Sequence, residues 1–155
     1  MPSFELLLFA DYFQFYVQDD GAEGDLSEAW TEEAVDRLLA VAPGTLGIGT
    51  AQTCSFVPVI VDILEREPND DSADWDHVVE AGLDVASGRI VIAGCTDYLP
   101  DAVRIEVAPG GYRARISYGA LDTVAENRLS GDDHYRLQLW PGTQAGVRIL
   151  KRRSK

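Results

Sequence analysis

Apolar and polar residues alternate with a period of two in short segments separated by turn residues, and that pattern builds sheets. Over residues 11–18, Phe13, Phe15 and Val17 fall on one face while Tyr12, Gln14, Tyr16 and Gln18 fall on the other. Just upstream, residues 6–9 are apolar on both faces, the mark of a central strand or of a bulge near Ala10 that changes which side turns inward. Further strands are predicted over 45–50, 56–64, 77–85, 89–93, 103–107, 112–118, 135–140 and 147–150. In the segment 77–85, Val79, Ala81, Leu83 and Val85 share a face. The implied fold class is mainly β, an antiparallel β-sandwich of about eight to nine strands.

One hairpin is predicted: residues 103–107, then Ala108-Pro109-Gly110-Gly111, then residues 112–116. Gly tolerates positive φ and Pro presets the turn. In the simplest register Val107 faces Tyr112, Ile105 faces Ala114 and Val103 faces Ile116. Glu106 then opposes Arg113, a favourable cross-strand pair.

A single α-helix is predicted over residues 31–41, covering an edge or an end of the sandwich. Thr31 is its N-cap, Glu32 and Glu33 suit the positive end of the helix dipole, and Pro43-Gly44 follows its end. Trp30 and Val35 have the spacing of a hydrophobic staple. Gly47-Ile48-Gly49-Thr50 lacks a third glycine and a following helix start, so it marks a strand that needs close backbone approach rather than a dinucleotide loop.

At 155 residues the chain suits one domain, residues 1–150, followed by a basic tail, 151–155, expected to fray. Its charge is lopsided: 26 Asp and Glu against 13 Lys and Arg. Four of those basic residues are Lys151, Arg152, Arg153 and Lys155, so the body holds nine arginines, no lysine and 17 net negative charges. Such a field repels phosphates and anionic lipid and favours a cationic partner, so neither direct nucleic-acid binding nor membrane binding is expected. No stretch approaches the roughly 18 apolar residues of a membrane helix, and the opening Met1-Pro2-Ser3-Phe4-Glu5 lacks a signal's basic start. A cytoplasmic location is expected. There, Cys54 and Cys95 are expected as buried free thiols.

The acids cluster in two connecting segments. Residues 19–36 hold Asp19, Asp20, Glu23, Asp25, Glu28, Glu32, Glu33 and Asp36; residues 62–80 hold Asp62, Glu65, Glu67, Asp70, Asp71, Asp74, Asp76 and Glu80. They read as solvated loops that keep the protein soluble, or as a docking surface for a cationic protein. On the second reading the contact residues are Asp19, Asp20, Glu23, Asp25, Glu28, Asp70, Asp71, Asp74 and Asp76. Both histidines adjoin acids, so Asp74, Asp76, His77, Asp132, Asp133 and His134 form an alternative divalent-metal set, as a calcium-type module or a metal-dependent enzyme. Neighbouring strand residues point to opposite faces, which weighs against it. Asp19-Asp20-Gly21 and Asn69-Asp70-Asp71 do not continue into a calcium-loop spacing. No cofactor and no catalytic residue is predicted. Tyr12, Tyr16, Trp75, Tyr98 and Trp140 look outward or loop-borne, either as a binding patch or as caps on an open end.

Read in order, Asp11-Tyr12-Phe13-Gln14-Phe15-Tyr16-Val17-Gln18-Asp19, Trp30-Thr31-Glu32-Glu33-Ala34-Val35, the strand of Val57, Val59 and Val61, Leu99-Pro100, and Gly111-Tyr112 before a strand resemble the competence protein J family over residues 10–140. Members of that family are described as inhibitors of a DNA-entry nuclease. The resemblance implies a non-enzymatic protein whose partner is another protein, a nuclease in that family. This chain carries more acids between Asp62 and Glu80 than the resemblance leads one to expect, and no inhibitory contact residue carries over. A purely structural or oligomeric role is the remaining alternative.

Overall fold

Period-two alternation does produce sheets. In the computed structural model, which describes residues 2–23, 25–143 and 146–154, the described residues form eleven strands and one α-helix. In chain order these are β1 (Ser3–Ala10), β2 (Gln14–Asp19), α1 (Glu32–Arg37), β3 (Leu39–Ala42), β4 (Thr45–Gly49), β5 (Ser55–Ile63), β6 (His77–Val85), β7 (Arg89–Gly94), β8 (Val103–Glu106), β9 (Gly110–Gly119), β10 (His134–Pro141) and β11 (Arg148–Lys151). They make a sandwich of a six-stranded sheet, β1-β5-β10-β9-β6-β11, and a five-stranded sheet, β3-β4-β2-β7-β8. Neighbours are antiparallel except β5 and β10, which run parallel.

Alternation decides what fills the space between the sheets. Phe15, Val17, Leu46, Ile48, Ile90 and Ile92 from the smaller sheet meet Val57, Val59, Val61, Val79, Ile116, Leu137 and Leu139 from the larger, all buried. Each such side chain contributes about 1.5–3 kcal/mol by leaving water. A file of rings crosses this core. Phe15 meets Tyr135 edge-on at 5.9 Å, Tyr135 meets Tyr118 at 5.7 Å, and Tyr118 meets His77 at 5.1 Å. Both phenols are satisfied: Tyr118 donates to the Leu38 carbonyl, and Tyr135 donates to Asp133 while accepting from the Ala51 amide.

Of the two readings of residues 6–9, the break near Ala10 is what occurs. β1 is an edge strand, not a central one. After Ala10, Tyr12 and Phe13 turn left-handed (φ 54° and 58°) and carry the chain from one sheet into the other. The turn takes Phe13 out of the inward file, leaving it exposed, while Phe15 and Val17 keep the predicted facing.

The helix is shorter than predicted. Thr31 caps it through Oγ1 and the Ala34 amide, 3.2 Å, and Leu38, left-handed at φ 61°, ends it. Leu39, Ala40 and Val41 then run as β3 against β4, with Pro43-Gly44 as the hairpin turn. Strand pairing with a waiting edge outweighs the local helix preference of Leu39-Ala40. Ala34 packs with Leu26, Ala40 and Trp30 on the outer side of the smaller sheet, so α1 lies over the β3 edge. Val35 stays exposed; Trp30 instead lies over Gly47 and donates Nε1 to Gln14 at 3.0 Å.

The predicted 103–116 hairpin does not form. β8 pairs with β7 in one sheet and β9 pairs with β6 and β10 in the other, so Ala108-Pro109-Gly110 is a crossover between sheets. Glu106 therefore lies opposite Arg89, and Arg113 turns to Glu80. Of the predicted tail, Lys151 belongs to β11, Arg152 pairs with Asp36, and the Arg153 amide donates to His77 Nδ1 at 3.1 Å. Lys155 lies outside the described residues. Cys54 and Cys95 are free, but Cys54 is exposed and Cys95 half-buried, not core thiols.

Candidate functional site

The two acidic segments lie on opposite outer faces of the sandwich. The first leaves β2 at Asp19 and is pinned to the smaller sheet by Leu26 and Trp30, whose side chains fill the space a Cβ on Gly47 would occupy, at 2.8 and 2.9 Å. Close approach to Gly47 is the service predicted from Gly47-Ile48-Gly49. The second covers the outward arginines of the larger sheet. Arg115 donates to the carbonyls of Pro68 and Asn69, and Arg136 meets Asp71 at 2.7 Å.

This placement divides the nine predicted contact acids. Asp19 is buried and accepts from the Ser87 amide and hydroxyl. Asp20 sits between Arg89 and Arg104, at 3.1 and 3.5 Å. Asp71 is held by Arg136, whose hydrogen bond keeps its carboxyl below the usual carboxylate range, and Asp76 accepts from the Leu121 amide. These four are spent within the fold. Glu23, Asp25, Glu28, Asp70 and Asp74 are exposed, and none is ion-paired among the described residues. Asp25 and Asp70 are held below the usual carboxylate range by hydrogen bonds from Ser27 and Ser72. A negative face of this kind persists into mildly acidic solution.

The acid and histidine clusters are brought near each other but not onto one point. The Trp75 ring packs on His134 at 5.3 Å, joining the two segments. Asp133, however, points into the core at Gln52 and Tyr135, and Asp74, Asp132 and His134 face solvent. His77 is fully engaged. A backbone N–H can only donate, so Nδ1 accepts from Arg153, and Nε2 carries the proton and gives it to the Arg37 carbonyl at 2.7 Å. Burial holds this imidazole below its ordinary range, opposed by the Arg37 carbonyl and reinforced by Arg153 and Arg152. No group of three or more His, Cys, Asp or Glu is placed to hold a metal among the described residues. Cys54 Sγ lies 3.3 Å from Asp11, while the imidazoles face Arg37, Arg153 and Trp75.

Glu80 is one acid whose role the charge clusters concealed. It is buried with Arg113 and Arg115 at 3.4 and 2.8 Å. The available signal was the alternation Arg113-Ala-Arg115 in an otherwise apolar strand, which demands a counterion beside it. Of the predicted outward aromatics, Tyr12 and Tyr98 are exposed and Tyr16 and Trp75 half-buried. Trp140 is buried beneath the Arg115 guanidinium, 5.3 Å from the ring centre. No described helix is long and apolar enough to cross a membrane.

No protein-family model and no curated protein matches the chain. Two solved structures share its fold. One is ComJ from Bacillus subtilis, described as an inhibitor of the DNA-degrading activity of NucA: TM-score 0.67, 15% identity, 91% of this chain and 98% of that one. The other, crocagin biosynthetic gene J, gives a TM-score of 0.63 at 18% identity over 92% of this chain and 100% of its own. The resemblance read from residues 10–140 is thus matched in three dimensions, and at these identities it is the architecture that is shared.

Proposed function

We propose that this chain is a non-enzymatic protein-binding domain of the cytoplasm that inhibits a nuclease, its partner a cationic protein engaged through the exposed acids. The observation that carries this reading is the arrangement of Glu23, Asp25 and Glu28: solvent-facing carboxylates on a segment fixed to the sheet at Leu26 and Trp30. A site that holds DNA must be cationic, and a fixed row of carboxylates competes with phosphates for it while speeding encounter. ComJ, which shares the fold, is described as inhibiting NucA. Because Asp70 and Asp74 lie on the opposite face, one partner surface meets one acidic segment, and the reading takes the one that carries Glu23, Asp25 and Glu28.

The test is inhibition of a nuclease encoded beside this gene, measured by DNA degradation at about 50 mM and about 500 mM salt. Inhibition is expected at low salt, weakened at high salt, and removed in a Glu23→Lys, Asp25→Lys, Glu28→Lys variant but retained in Asp70→Lys, Asp74→Lys. Undiminished DNA degradation at low salt with excess wild-type protein overturns the reading.

A further inference from the structure

A cleft of about 630 Å³ opens between the Tyr12-Phe13 turn, α1 and the loop carrying Arg128. Its volume lies in the range of small-molecule sites, roughly 300–1,000 Å³, and its wall has their character, mostly apolar with a few convergent polar groups. Tyr12, Phe13, Trp30, Val35, Leu38 and Leu121 provide the apolar wall; Arg128 and Arg153 provide the charge. None of the nine acids assigned to partner docking lines it.

Backbone strain concentrates here. Six non-glycine residues have positive φ among the described residues, and four of them border this cleft: Tyr12 (54°), Phe13 (58°), Leu38 (61°) and Arg128 (63°). Left-handed backbone is unfavourable for side chains of this size and persists where surrounding structure enforces it, typically at ligand sites. The strain here turns rings outward. Tyr12 is 69% and Phe13 45% exposed, although simple alternation would have sent Phe13 into the core. Folding the chain this way costs burial and exposes two aromatic faces on one hollow.

Charge points the same way. In a chain of net charge −13, neither Arg128 nor Arg153 is ion-paired among the described residues, and Arg153 Nε is buried without a hydrogen-bond partner. The Arg153 backbone N–H donates a hydrogen bond to His77 Nδ1 at 3.1 Å, which ties the base of this side chain to the larger sheet. Glu32, Glu33 and Asp36 border the adjoining hollow on the other side of Arg153, and Asp36 is engaged by Arg152. Those acids, with the acidic body, disfavour a polyanion and leave room for one negative charge. A planar carboxylate matches a guanidinium fork, and a ring fused to it finds aromatic faces.

We infer that this cleft binds a small aromatic carboxylate, its ring against Tyr12, Phe13 and Trp30 and its carboxylate on Arg128 and Arg153. The site uses none of the docking carboxylates, although Trp30 and Val35 of its wall belong to the first acidic segment. The test titrates 2-naphthoate, and separately its uncharged counterpart 2-naphthylmethanol, into the full chain by calorimetry. Saturable binding of the carboxylate is expected, at least about ten-fold tighter than the alcohol, the worth of one charge-assisted hydrogen bond. Arg128→Gln and Arg153→Gln each erase most of that preference, while Tyr12→Ala weakens both ligands alike. The arginine changes leave the His77 contact intact because it uses the backbone amide, and an unchanged thermal midpoint verifies folding. Equal affinity for acid and alcohol, or no saturable binding at millimolar 2-naphthoate, or full affinity in both arginine variants, overturns the assignment.

Discussion

Arg115 Nε lies 2.8 Å from Glu80 Oε2 across the β6–β9 pair, and both side chains are almost wholly withdrawn from water on the outer face of the larger sheet. Arg113 completes the cluster at 3.4 Å, Trp140 underlies Arg115, and the carbonyls of Pro68 and Asn69 accept from Arg115 Nη1. This one carboxylate compensates two buried cations and, through Arg115, ties down the second acidic segment.

Removing the charge of Glu80 leaves the Arg115 guanidinium buried beside a neutral amide. Glu80→Gln is expected to cost about 3 kcal/mol or more, because the penalty is that of uncompensated charge rather than of one lost contact. Urea unfolding followed by circular dichroism measures it. A loss below about 1 kcal/mol would mean that solvent reaches the cluster.

His77 sets a pH dependence whose sign follows from its surroundings. Burial keeps the folded imidazole neutral, below its ordinary range, so in the window between its folded value and about 6.5 the unfolded chain binds the extra proton. Stability is fully present above about pH 6.5 and falls as pH drops below it, by at most about 1.4 kcal/mol per pH unit for one group. Thermal melts between about pH 5.5 and 7.5 are expected to show this slope, and His77→Gln, whose amide can still donate to the Arg37 carbonyl, to flatten it. An equal slope in that variant assigns the effect elsewhere.

The strands were legible because their signal is local: β6 begins and ends where alternation places it, at His77 and Val85, with Val79, Ala81, Leu83 and Val85 facing the core. What was not legible depends on partners distant in sequence. Whether Val103 to Ile116 closes as a hairpin or crosses between sheets turns on the free edge offered by Arg89–Gly94, which no local pattern encodes. Leu39-Ala40 reads as helix until the Leu46-Ile48 strand is present to pair with it. The acids present the same difficulty. Asp19, Asp20 and Asp71 are indistinguishable in sequence from Glu23 and Asp25, and only the fold reveals Ser87 and the arginines that consume them. The cleft at Tyr12 and Phe13 was hidden because a left-handed turn at two non-glycine residues breaks the alternation that the reading relied on.

Gly47 links the sheet to the first acidic segment. A methyl group there meets Leu26 Cδ1 at 2.8 Å and the Trp30 ring at 2.9 Å, and of the two the indole yields less because Nε1 is bonded to Gln14. Gly47→Ala is expected to destabilise by about 1–3 kcal/mol through overpacking and to loosen residues 25–30, raising their amide exchange. If the proposed docking role holds, nuclease inhibition weakens with it even though no acid has been altered. Unchanged exchange in residues 25–30 would show that Leu26 and Trp30 do not fix the segment.

Gly94 tests the crossover that shapes the aromatic cleft. It pairs with Phe15 in the β2–β7 register, and a Cβ on it would fall 2.1 Å from the Phe9 carbonyl oxygen, a backbone atom that cannot rotate away. Its φ is not among the positive ones, so alanine carries no conformational penalty and any loss is steric. Relief requires the end of β1 to move off β7, which displaces the chain just before Tyr12 and Phe13. Gly94→Ala is therefore expected to cost at least about 1–3 kcal/mol in urea unfolding, and, in whatever fraction stays folded, to weaken 2-naphthoate and 2-naphthylmethanol together, since the ring wall shifts while Arg128 and Arg153 stay in place. A variant with wild-type stability would show that β1 and β7 separate freely, and that the left-handed turn at Tyr12 is not held by the packing of Phe9 on Gly94.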